Sequence, residues 1–111
     1  MILSVVKIYP HPGREHAVID VLDSLTGPVS TLAGCLGCSV SIETGAGEVV
    51  NYTEKWCSRE ALDRHLNSNL YGRVLEAMEF SCKPPDVEFY EVTNVGGLEL
   101  VELARSDTLR D

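Results

Sequence analysis

The chain is short of positive charge, of aromatic rings and of long apolar runs. Nine Lys and Arg face seventeen Asp and Glu across 111 residues, a formal net charge of −8. Nucleic-acid affinity comes largely from cations that displace phosphate counterions, so this balance argues against DNA, RNA and acidic membrane surfaces as partners. No stretch approaches the ~18 consecutive apolar residues of a membrane span. The opening MILSVVKIYP has no basic lead and no small-residue cleavage site. It reads as a strand rather than a signal peptide, which places the protein in the cytoplasm. The length allows one domain and no second.

Cysteine is scarce and badly placed for a framework. Cys35 and Cys38 have CxxC spacing, but Cys57 and Cys82 stand alone with no His at ligand spacing, so neither a zinc site nor any other metal is expected. A redox CxxC normally opens a helix, whereas this one runs into an alternating strand. The bland expectation is four reduced thiols, mostly buried as small apolar side chains. A thiol redox role for Cys35 and Cys38 stands as one alternative.

What is present is clear hydrophobic periodicity. Ile2 to Tyr9 is rich in β-branched residues and ends in the turn formers Pro10, Pro12 and Gly13. From Arg14, Val18, Val21, Leu22, Leu25, Val29 and Leu32 recur at helical spacing, with an interruption expected at Gly27-Pro28. Cys38, Val40 and Ile42 alternate with polar residues as a second strand, and Val49 to Trp56 forms a third after a short hairpin loop. Ser58 is a good N-cap for a helix from Arg59, and Asn67-Ser68-Asn69 divides it from a second helical segment with Leu70, Val74, Leu75 and Met78. Val87 to Thr93 reads as the fourth strand.

The order β-α-β-β-α-β fits an α+β, ferredoxin-like fold, a four-stranded antiparallel sheet with helices on one face. Strand one is apolar on both sides, Ile2, Val6 and Ile8 against Leu3, Val5 and Tyr9. Helices cover one side only, so the other is expected to meet a second copy in a homodimer. Residues 1–94 form the domain. Residues 95–111 are a C-terminal extension whose Leu98, Leu100, Val101 and Leu103 read as an extra strand or arm on the partner, with a frayed end.

Three runs carry a resemblance: Val5 to Gly13, Ala33 to Cys38, and Trp56-Cys57-Ser58-Arg59-Glu60-Ala61-Leu62-Asp63-Arg64-His65-Leu66. Together they resemble the antibiotic-biosynthesis monooxygenase (ABM) superfamily, which includes quinol monooxygenases, over residues 1–94. The resemblance implies a dimeric α+β barrel and oxidation of electron-rich phenols or quinols by dioxygen without metal, flavin or other cofactor. Departures exist. Cys57 stands where the family usually has an acidic residue, and Val6 and Leu75 occupy the Asn and iron-binding His positions of haem-degrading relatives. His65 stands where that branch has Trp, as it does in many quinol-oxidising relatives.

The candidate catalytic residues are His65, a base whose ordinary pKa suits proton transfer near neutrality, and Glu54, facing inward between aromatics. Pairing of Glu54 with an Arg or Lys is the expected structural outcome. Trp56, Tyr52, Tyr71 and Arg73 are the candidate substrate-binding residues for a small aromatic ligand, with core packing as the alternative for the aromatics. The leading reading is a cofactor-independent monooxygenase of a small phenolic, quinol or polyketide-like compound. The rivals are a non-catalytic ligand-binding or stress-response dimer and the thiol redox protein.

Overall fold

The computed structural model describes residues 1–45 and 47–110, the last four as backbone only. Among the described residues the order is β1 (Ile2–Ile8), α1 (Glu15–Ser30), β2 (Cys35–Glu43), β3 (Val49–Trp56), α2 (Arg59–Leu66), α3 (Asn69–Met78), β4 (Asp86–Glu91) and α4 (Leu98–Arg110). The four strands pair antiparallel in the order β2-β3-β1-β4, the expected ferredoxin-like sheet.

The register lays the helix-facing surface out in rows. Cys38, Glu54, Ser4 and Phe89 lie directly opposite one another across β2, β3, β1 and β4. Val40, Tyr52, Val6 and Val87 form the next row. Helix α1 buries Val18, Leu22, Leu25 and Val29 on this face, and α3 adds Tyr71, Val74 and Ala77. Each such aliphatic contributes about 1.5–3 kcal/mol on leaving water.

The opposite face carries the apolar Leu3, Val5 and Tyr90, but they sit among Lys7, Asn51, Thr53 and Lys55 by register. It is more polar than strand one alone implied. Lys7 pairs there with Glu43 at 2.7 Å.

Three elements differ from the sequence reading in extent or burial. Helix α1 runs through Pro28 to Ser30; the proline forfeits one amide bond, to the Ser24 carbonyl, without ending the helix at Gly27. Strand β2 starts at Cys35, three residues early, with a bulge between Cys35 and Gly37 that hides the alternation. Strand β4, at the sheet edge, is exposed along its whole length and is covered on neither face.

The tail forms a helix, α4, rather than an extra strand. Its Leu98, Leu100, Val101 and Leu103 are 44–71 % exposed. The radius of gyration, 17.1 Å, exceeds the about 13 Å of a compact chain this long. The backbone is helical as far as Arg110, where fraying was expected; Asp111 lies outside the described residues.

Gly34 joins α1 to β2 with φ +85°, and a Cβ there would lie 2.6 Å from that of Ala61. Only glycine lets the chain pass so close beneath α2. Its carbonyl accepts from the Cys57 amide at 2.8 Å, which fixes the end of β3 where α2 begins.

Candidate functional site

The alternation of β3 turns Val50, Tyr52, Glu54 and Trp56 toward the helices, and all four are buried. Two residues beyond Trp56 the chain turns into α2. Ser58 caps it by accepting from the Ala61 amide at 3.2 Å, and Glu60 lies in the first turn beside the positive end of the dipole. Ala61, Leu62 and His65, spaced by one turn, form the buried face of α2. Residue 65 is thereby lowered onto residue 54.

Glu54 and His65 are 0 % and 2 % exposed, yet neither is unpaired. Glu54 Oε2 accepts from the Tyr52 hydroxyl at 2.7 Å and lies 2.8 Å from His65 Nε2. Glu54 Oε1 accepts from Trp56 Nε1 at 3.1 Å. A buried carboxylate is costly unless its lone pairs are met by donors, and here three groups converge on it. One proton lies on the Glu54–His65 axis. Among the described residues no Arg or Lys, the expected partner, joins this cluster; the partner is the imidazole, eleven residues along the chain.

Aromatic rings enclose the pair. Trp56 lies 4.9 Å from the His65 ring, tilted by 30°, and Tyr71 meets it edge-on at 5.4 Å. Desolvation, reinforced by Glu54, pushes the Tyr52 and Tyr71 phenols upward, so both stay protonated. On the far side of the imidazole, Nδ1 lies 3.4 Å from Ser68 Oγ. That hydroxyl donates to the His65 carbonyl at 2.6 Å and accepts from the Tyr71 amide at 3.3 Å as the N-cap of α3.

His65, Glu54, Trp56, Tyr52 and Tyr71 are therefore one cluster. Arg73 is not in it: its side chain is half exposed on α3, 3.8 Å from Glu76. It lies two residues beyond Tyr71, more than half a turn of the helix, which directs it outward.

Three further residues join the cluster, none of them placed there from the sequence. Cys38 donates its thiol to the Tyr52 hydroxyl at 3.3 Å. Ser68 caps α3 beside the imidazole. Ser4 is 1 % exposed and its hydroxyl has no hydrogen-bond partner among the described residues. The signal for Ser4 was present, a lone polar residue on the buried side of an Ile-x-Ser-x-Val-x-Ile strand.

The cysteines depart from expectation in part. All four are free, but Cys57 and Cys82 are exposed rather than buried. Burial pushes the Cys38 thiol up to about 11 and raises Cys35 in the same direction, the opposite of what a nucleophilic thiolate needs. Among the described residues no group of three or more His, Cys, Asp or Glu is placed to hold a metal ion. Among the described residues no helix is long and apolar enough to cross a membrane.

Two clefts flank α2. One, of about 250 Å³, has His65 and Trp56 in its wall with Leu32, Ala33, Arg64 and Ser68. The other, of about 320 Å³, lies between α2 and β4 and is lined by Ile2, Leu62, Leu66 and Phe89, with Arg59 and Glu91 at its edge.

Comparison with known proteins agrees with this architecture. Residues 1–77 match the family model for antibiotic biosynthesis monooxygenase. Rv0793 from Mycobacterium tuberculosis superposes with a TM-score of 0.75 at 24 % identity, covering 86 % of this chain and 98 % of that one. A candidate antibiotic biosynthesis monooxygenase from Deinococcus radiodurans gives a TM-score of 0.77 at 16 % identity, covering 87 % and 97 %. PA3566 from Pseudomonas aeruginosa gives 0.71 at 22 %, covering 84 % and 94 %. At these identities the likeness is one of fold. No curated protein matches the chain.

Proposed function

The chain belongs to the antibiotic biosynthesis monooxygenase family, and from that premise we propose that it oxidises a small phenolic, quinol or polyketide-like aromatic with dioxygen, using the Glu54–His65 pair as proton acceptor. The observation that carries the reading is the buried carboxylate–imidazole contact at 2.8 Å, walled by Trp56 and Tyr71 and flanked by two clefts.

Dioxygen reacts slowly with closed-shell molecules, so the substrate must become a better electron donor. The pair takes the phenolic proton, and the phenolate passes one electron to dioxygen; the resulting radicals join as a ring peroxide. Protonation of the peroxide, cleavage of its O–O bond and loss of the hydrogen on the same carbon then give a carbonyl and water. One oxygen atom enters the product, the other leaves as water, and the substrate supplies every electron. The apolar surroundings keep bulk water from the intermediates.

A homodimer belongs to the same proposal. Leu3 and Val5 on the outer face and the exposed leucines of α4 are the surfaces that a second copy would cover, with the arm as an extension of the 1–94 domain. A cytoplasmic site of action is consistent with the absence of a membrane-crossing helix among the described residues.

Oxygen uptake with a panel of hydroquinones and anthrones tests the reading. His65→Ala should lose about 100-fold or more of the rate, the usual contribution of a positioned acid–base group. No uptake by the wild-type protein with any compound that binds it would identify a binding module instead.

A further inference from the structure

Resting on that reading, we propose that Ser4 and Glu54 together form the hydroxyl-binding subsite, and that the aromatic body of the substrate occupies the α2–β4 cleft.

Ser4 and Glu54 are directly opposed across β1 and β3, on the helix-facing side of the sheet. Directly opposed residues hold their Cβ atoms about 4.5–5.5 Å apart, so one small group is able to bridge the two side chains. Their hydrogen-bonding needs are complementary. An ionised carboxylate has about four acceptor positions. Tyr52, Trp56 and His65 use three of those on Glu54. Ser4 is buried with an unused hydroxyl. A buried hydroxyl without a partner costs free energy, and such groups in native proteins generally mark a bound water or a ligand.

The group that fits between them both donates and accepts. A phenolic hydroxyl does so, giving its proton toward Glu54 and accepting from Ser4. When that proton moves into the Glu54–His65 pair, the Ser4 hydroxyl is left donating to the phenolate oxygen, where negative charge has appeared.

The cleft supplies the rest of the ligand's environment. Ile2 lies two residues from Ser4 on the same strand face, and Phe89 is directly opposite Ser4 on β4. Both line the α2–β4 cleft with Leu62 and Leu66. Phe89 is 44 % exposed, so its ring forms the open wall of the cleft on the side of Ser4. The ligand class is thus a small flat aromatic with a free hydroxyl, its body against Ile2, Leu62, Leu66 and Phe89 and its outer edge beside Arg59, Tyr90 and Glu91.

Calorimetric titration under nitrogen, with 1-naphthol and its methyl ether as probes, tests the subsite without turnover. The ether accepts a hydrogen bond but donates none. Wild-type protein should prefer the naphthol. Ser4→Ala should weaken both probes about three- to tenfold, because each accepts from the Ser4 hydroxyl, and should leave the naphthol preference, which comes from donation to Glu54, in place. Leu66→Trp, filling the α2–β4 cleft, should block both probes, whereas Ala33→Trp, filling the opposite cleft, should block neither. No wild-type preference, unchanged binding of both probes in Ser4→Ala, or blockage by Ala33→Trp would each overturn the proposal. The expected binding pattern without oxygen uptake would retire the oxygenase reading and leave the subsite standing; full oxidation rates in Ser4→Ala would retire the subsite alone.

Discussion

Replacing Glu54 by Gln changes one oxygen to an amide at nearly constant volume, and the surroundings do not tolerate the exchange. With the amide oxygen in the Oε2 position, its NH₂ group faces the Trp56 N–H, donor against donor. With the amide reversed, the NH₂ group faces Tyr52 and His65, and both must turn into acceptors. Either way charge-assisted hydrogen bonds, worth about 1.5–3 kcal/mol each, become neutral ones worth about 0.5–1.5 or are lost. Because three donors share the carboxylate, the net destabilisation should be about 2–4 kcal/mol, a large part of the ~5–15 kcal/mol that small domains possess. Trp56 is the sole tryptophan and touches both partners, so its fluorescence reports the unfolding directly. With a urea slope of about 1–3 kcal/mol/M, the midpoint should fall by roughly 1–3 M. A Leu22→Ala control should lose about 2–5 kcal/mol through its cavity. If Glu54→Gln matched the wild type within about 0.5 kcal/mol while Leu22→Ala fell as expected, the carboxylate would not be the hub of the cluster.

Gly34→Ala should cost about 2–4 kcal/mol in the same assay, since it combines an unfavourable positive φ with a collision against Ala61; an unchanged midpoint would contradict the close approach. Iodoacetamide at pH 8 should label the exposed Cys57 and Cys82 first and Cys38 last, and rapid labelling of Cys38 would revive the thiol reading. Stability should fall as pH rises above about 9. Cys38 keeps its proton in the folded state up to about 11, so the unfolded chain binds fewer protons across that window, and Tyr52 acts in the same direction. A flat urea midpoint from pH 8 to 10.5 would refute this. Truncation after Asn94 should leave the unfolding free energy of the domain within about 1 kcal/mol of the full chain when both are unfolded as dilute monomers, because the leucines of α4 are exposed in the protomer and not part of its core. A larger loss would make the arm a part of the domain.

Much of the site was legible in the sequence because it lies on two regular elements joined by a two-residue turn. Period-two alternation puts Tyr52, Glu54 and Trp56 on one face, and a capped helix starting at Arg59 brings its second turn, with His65, back over that face. What periodicity does not encode is which buried polar group meets which. Glu54 was matched to an Arg or Lys by charge, whereas the fold offers an imidazole and two aromatic donors. Ser4 and Cys38 come from β1 and β2, and their places beside Glu54 are fixed only by register. Arg73 shows the opposite limit: nearness in sequence to Tyr71 says little on a helix, where two residues turn the side chain by more than half a turn. In the tail, Leu98, Leu100, Val101 and Leu103 have spacings compatible with a strand or a helix. The structure selects the helix, in keeping with the preference of Leu, Glu, Ala and Arg.

The central claim is that the Glu54–His65 pair activates a phenol toward dioxygen, and isotope labelling tests it most directly. Anthrone, whose enol is a phenol, is incubated with the protein under ¹⁸O₂ in ordinary water, and the rate above the protein-free control is analysed by mass spectrometry. The account predicts anthraquinone carrying one ¹⁸O atom, formed by the wild-type protein and not by folded His65→Gln. Protein-dependent product labelled from water, or an equal rate with His65→Gln, would contradict it.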